Sequence, residues 1–92
     1  MRKKVLVMRR HLLETIAMMA GCKLISDLLY TQNPQWITSA VNALDVNDYP
    51  LDQWNDAAGY LTGTRVSFDD SQKAKEYLIR TPIVNKQSGM NL

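Results

Sequence analysis

Between residues 10 and 30, apolar side chains recur at helical spacing along two lines. Leu13, Ala17, Ala20, Leu24 and Leu28 form one, and Leu12, Ile16, Met19 and Ile25 form the other. With Met18 and Leu29 added, the apolar surface wraps more than half of a helical cylinder. A helix that apolar has to be covered on more than one side. The chain has only 92 residues, and a domain of this size buries roughly two-thirds of its unfolded surface, so few other elements are available to cover it. The pattern predicts a helix over 10–30 and a homo-oligomer that takes up the apolar excess. Met18, Met19, Ile25, Leu28, Leu29 and Tyr30 are the expected protein-interface residues, since a soft, methionine-rich surface packs against varied partners. The plainer role for the same side chains is to fill the monomer core. Gly21 falls mid-helix, where it costs about 1 kcal/mol relative to alanine and marks a close helix crossing or a kink.

Three shorter elements follow. Asn33 and Pro34 suit the cap and first position of a second helix, with Trp36, Ile37, Ala40, Val41 and Leu44 on its apolar face. A third helix opens at Pro50, carries Leu51, Trp54, Ala58 and Leu61 inward, and ends at Gly63, which suits a left-handed cap. Residues 65–68 alternate outward and inward and read as a short strand, pairing with residues 4–8 or with Ile83 and Val84. Asp69 or Asp70 caps a fourth helix, whose inner face is Ala74, Tyr77 and Leu78, and Thr81-Pro82 stops it. Residues 3–8 read as either a strand or a helix. The expected architecture is a mainly α, four-helix single domain over 1–82, with at most a minor β element, and a flexible tail over 83–92.

Charge is segregated along the chain. Residues 1–25 hold six Lys or Arg and one acid, Glu14; residues 27–56 hold five Asp and no base; residues 65–92 hold five bases and three acids. A basic segment beside an acidic one implies attraction, within one subunit or between two. That bears on association rather than on chemistry.

Motifs for chemistry are missing. One His and one Cys do not make a metal-ligand set, and the Asp45, Asp48, Asp52 and Asp56 stretch lacks the glycine and terminal Glu of a calcium loop. Those carboxylates suit capping and solvation instead. No nucleophile elbow or phosphate loop is present. The expectation is a non-enzyme without cofactor. Cys22 is the only cysteine, so no intrachain disulfide forms, which fits a reducing compartment. It sits among apolar neighbours and reads as a small hydrophobe. The apolar run 5–8 is too short for a secretory signal, and residues 11–30 contain Glu14, Lys23 and Asp27, so they make a poor membrane span. A cytoplasmic protein without a membrane partner is expected.

Nucleic acid is the rival partner. Lys73, Lys75 and Arg80 on the fourth helix, with Arg9 and Arg10 on a basic arm, are the candidate contacts. The eight residues from Gly63 to Asp70 are too many for a helix-turn-helix, whose turn takes about three or four.

In overall character, the basic start at residues 1–4, the stretch 53–63, the capped helix 70–80 and the polar tail resemble small accessory regulators of bacteriophages and prophages, including antirepressors. The resemblance implies a helical oligomer that binds and disables another regulator, such as a repressor, by protein contact. It carries no functional residue with it. The expected function is a small regulator acting by protein–protein contact, with a DNA-binding regulator as the alternative.

Overall fold

The structure, a computed structural model, describes residues 11–84. Its regular elements are α1 (Leu12–Met19), a 3-10 turn (Ile25–Leu29), α2 (Pro34–Ala43), a second 3-10 turn (Val46–Asp48), α3 (Leu51–Thr62) and α4 (Ser71–Arg80). The described residues form a small all-α domain of four helices. The described residues contain no strand. Residues 3–8 lie outside them.

The expected single helix over 10–30 does not form. The last turn of α1 closes at Met19, and Gly21 takes a φ of +81°. The Cys22 N–H reaches back to the Ala17 carbonyl (2.8 Å) and the Gly21 N–H to that of Met18 (3.2 Å). These two bonds close a helix on a left-handed glycine and satisfy carbonyls that the last turn leaves open. The chain then passes through an extended Leu24, whose N–H donates to Asp27 Oδ2 (3.2 Å), into the first 3-10 turn. An unbroken helix over this stretch would be a rod about 30 Å long. Broken at Gly21, it folds back, and its two halves pack together. Leu12, Leu13, Ile16, Ala17 and Ala20 from one half meet Leu28 and Leu29 from the other in one core.

α3 supplies the centre of that core. Trp54 is fully buried with Ile37, Val41, Leu61 and Leu78 around it in the same cluster. Its indole N–H donates to the Val46 carbonyl (3.1 Å), so burying the ring leaves no donor unpaired. Tyr49 meets the ring edge-on at 6.5 Å. α3 packs most closely on α4 and also touches α1; α2 packs on both α1 and α4. Side-chain hydrogen bonds tie the layers together. Gln53 of α3 accepts from the Leu12 N–H at the start of α1 (2.9 Å), and the Thr15 and Tyr49 hydroxyls meet at 2.8 Å.

The helix ends follow the sequence with two adjustments. Pro34 opens α2, but the Asn33 side chain makes no cap; instead Thr31 Oγ1 accepts from the Asn33 N–H (3.1 Å). Asp70, not Asp69, caps α4, its carboxylate accepting from the Gln72 N–H (2.9 Å). Gly63 ends α3 in the left-handed region at φ +71°, as expected.

The expected strand at 65–68 is corrected to an extended segment without a sheet partner. The Asn55 side chain takes the partner's place: its amide donates to the Phe68 carbonyl (3.0 Å) and its Oδ1 accepts from the Phe68 N–H (2.7 Å). The inward–outward alternation is real, since Val66 and Phe68 turn toward the core. Ile83 and Val84, placed in the tail by the sequence, also pack on the core, and the Val84 N–H donates to the Leu61 carbonyl (2.8 Å).

Gly63 links these observations. A side chain there would occupy a left-handed backbone, at about 1–2 kcal/mol, and its Cβ would come within 2.7 Å of Val84 Cγ2. Gly63→Ala is therefore expected to lower unfolding stability by at least that amount in a urea titration. An unchanged midpoint would show that the α3 cap and the Val84 contact are not formed.

Candidate functional site

The break at Gly21 leaves large apolar side chains facing solvent. Met18, Met19, Leu24, Tyr30 and Trp36 are between 47% and 62% exposed. They belong to the end of α1, the turn, the end of the first 3-10 segment and the start of α2. Two concavities flank the turn. One is an open groove of about 670 Å³ lined by Met18, Cys22, Leu24 and Ile25, with Glu14 and Lys23 also on its walls. The other, smaller, is lined by Met19, Trp36, Ser39 and Ala40. Trp36 reaches toward the turn itself: a Cβ on Gly21 would lie 3.8 Å from Trp36 Cζ3.

The six expected interface residues therefore separate. Met18, Met19 and Tyr30 are exposed, and Ile25 is half-buried in the groove wall. Leu28 and Leu29 are corrected from interface to core, because the 3-10 turn carries them inward against α1. An aspartate at Leu28 would break the fold rather than a contact. Leu24 and Trp36 join the surface, although Leu24 falls on an apolar line of the expected helix and Trp36 on the apolar face of α2. The signal that could have placed Leu24 is its position just after Gly21, where a helix ending on glycine must change direction.

Cys22 is half-buried in the groove. Burial raises its thiol pKa, and the Asp27 carboxylate raises it further. A thiol pushed that way holds less thiolate at neutral pH and is a poorer nucleophile, in keeping with its reading as a small hydrophobe. His11 has a structural role that the sequence did not disclose. Its Nδ1 accepts from the Leu13 N–H (3.0 Å) as the cap of α1, and its Nε2 lies 3.6 Å from Asp56 Oδ2. Accepting through Nδ1 places the neutral ring's proton on Nε2, facing the carboxylate. Asp45 caps the second 3-10 turn through the Asn47 N–H (2.9 Å). Among the described residues, no three His, Cys, Asp or Glu side chains come together as metal ligands would. No helix among them is long and apolar enough to cross a membrane.

The nucleic-acid candidates also separate. Arg9 and Arg10 lie outside the described residues. Lys73 pairs with Asp69 across one turn (3.3 Å). Lys75 points inward, its ammonium donating to the Leu44 carbonyl at the end of α2 (2.6 Å). Arg80 is exposed at the end of α4, beside a shallow groove formed with Pro34, Gln35 and Thr38. α4 thus does not present Lys73, Lys75 and Arg80 as one free basic face. The Tyr77 hydroxyl bonds Thr64 Oγ1 (3.0 Å), and that bond together with Thr62 lowers its pKa, tying α4 to the end of α3.

No family model, curated protein or solved structure matches the chain.

Lys75 is the cation whose role geometry settles most clearly. A lysine on the open carbonyls of a helix end works with the helix dipole. Lys75→Ala is expected to cost about 1 kcal/mol of stability, measured by urea unfolding, whereas Lys73→Ala changes it less because its ion pair is exposed. Equal effects of the two would contradict the inward placement of Lys75.

Proposed function

We propose that the protein is a small non-enzymatic regulator that acts by protein–protein contact, of the antirepressor or inhibitor kind, binding and disabling a transcriptional regulator in the cytoplasm. The observation that carries this reading is the exposure of Met18, Met19, Leu24 and Trp36 beside the Gly21 turn, where they line its two concavities. Apolar side chains exposed side by side, rather than singly, mark contact or ligand sites on a protein surface. Methionine and aromatic side chains are also the types favoured at the buried centres of interfaces. The DNA-binding alternative has less to support it, because Lys75 is spent on the Leu44 carbonyl and Lys73 on Asp69.

The reading is tested by affinity capture from host lysate, with and without nuclease, using the wild type and the Met19→Asp and Trp36→Asp variants. Both variants are expected to stay folded, because their side chains are half exposed, and to lose a regulator protein that the wild type retains after nuclease treatment. Leu28→Asp is expected to lose its helical circular dichroism outright. Capture of DNA, with any protein lost after nuclease, would replace this reading with the DNA-binding one. A regulator retained by both folded variants would remove the surface from the mechanism.

A further inference from the structure

We infer that His11 is a pH-sensitive clasp on the start of α1: the neutral ring caps the helix, and the protonated ring releases it and pairs with Asp56 of α3. The inference stands apart from the contact reading above.

A helix start leaves its first N–H groups without partners inside the helix. At the start of α1 each of the residues Leu12 to Thr15 has an acceptor. Leu12 donates to Gln53 Oε1 (2.9 Å), Leu13 to His11 Nδ1 (3.0 Å), and Glu14 and Thr15 to the His11 carbonyl (2.9 and 3.1 Å). Of these acceptors only Nδ1 belongs to a group whose ordinary titration falls between pH 5 and 8. Leu13 is a core residue, 8% exposed, so the bond that holds its backbone bears on the core as well as on the helix end. An imidazole that accepts through Nδ1 is neutral; once protonated, both its nitrogens are donors. Two donors would then face each other at the Leu13 N–H, and the cap cannot persist. The other nitrogen already lies 3.6 Å from Asp56 Oδ2. The charged ring gains a partner at Nε2 as it loses one at Nδ1, and it need move little to do so. Its side chain is 33% exposed, so protons reach it from solvent. Asp56 is the acid within 4 Å of the ring among the described residues. Asp52, one turn earlier on α3, and Glu14, in the first turn of α1, are further acids on the elements that meet there. α2 carries no charged residue, and Asp27 of the first 3-10 turn acts on Cys22 instead. Arg9 and Arg10 precede His11 in the chain and keep their charge throughout.

The test is NMR on the full chain between about pH 5 and 8, reading the His11 ring nitrogens, the Leu13 amide proton and the Asp56 carboxyl carbon. At the alkaline end the ring is expected as the Nε2–H tautomer. As the ring is protonated, the Leu13 amide signal is expected to move upfield along the ring's own titration curve. The Asp56 carboxyl carbon is expected to follow the same curve. The Leu12, Glu14 and Thr15 amides, on acceptors that do not titrate there, move less. His11→Asn keeps an acceptor of a type favoured at helix starts and is expected to flatten the Leu13 and Asp56 curves. Asp56→Asn is expected to keep the Leu13 step while deleting the ion pair. That separates loss of the cap from attraction to the carboxylate. Several results would each overturn the inference: the Nδ1–H tautomer at the alkaline end, a Leu13 amide or Asp56 carbon that ignores the ring's titration, curves that persist in His11→Asn, or a Leu13 step that vanishes in Asp56→Asn. Loss of helical circular dichroism before the ring titrates would also overturn it, because the clasp acts within the folded protein.

Discussion

The left-handed backbone at Gly21 governs how the most apolar part of the chain is used. With φ at +81° the helix stops there, and the bonds from Cys22 to Ala17 and from Gly21 to Met18 complete its end. Two consequences follow from that single turn. The segment beyond it folds back, so Leu28 and Leu29 reach the core that Leu12 and Ile16 begin. The segment before it ends early, so Met18 and Met19 are left at the rim. Core and surface are two outcomes of one backbone dihedral.

The rest of the fold is arranged around Trp54. In so small a domain one large buried side chain carries much of the core, and the chain satisfies its one donor with the Val46 carbonyl. Non-helical stretches are then held by side chains rather than by a sheet. Asn55 grips both backbone groups of Phe68, Gln53 receives the Leu12 N–H, and Lys75 closes the end of α2. Each of these reaches from a helix to another part of the chain. They pair backbone groups that the helix ends and extended segments would otherwise leave without a partner in the chain.

Helical periodicity made α2, α3 and α4 legible, and the start of α2 at Pro34, the end of α3 at Gly63 and the cap of α4 at Asp70 could be read within a residue or so. The same periodicity misled at residues 10–30, because apolar spacing continues across Gly21 and pattern alone cannot tell a glycine inside a helix from one that ends it. The strand at 65–68 failed for a related reason. Alternation reports which side chains turn inward, and Val66 and Phe68 do, but it does not report whether a neighbouring strand exists. The candidate surface was half legible. Met18, Met19 and Tyr30 are exposed as the apolar excess of 10–30 suggested, Leu28 and Leu29 were misplaced and Leu24 was missed because the chain turns at Gly21, and Trp36 was missed because periodicity does not say which apolar residues of α2 stay uncovered. The roles of His11 and Lys75 rest on partners distant in sequence or on a single ring nitrogen, and no local pattern announces them.

The contact reading depends on that turn, since a continuous helix would present a different face to solvent and leave no groove beside Cys22. The most direct test is a backbone NMR assignment of the full chain, reading the Cα chemical shifts from Leu12 to Tyr30. A broken turn predicts helical shifts over Leu12–Met19, their loss through Ala20 to Leu24, and weaker helical shifts over Ile25–Leu29. An unbroken run of helical shifts through Gly21 would contradict it and would remove both the groove and the exposed patch.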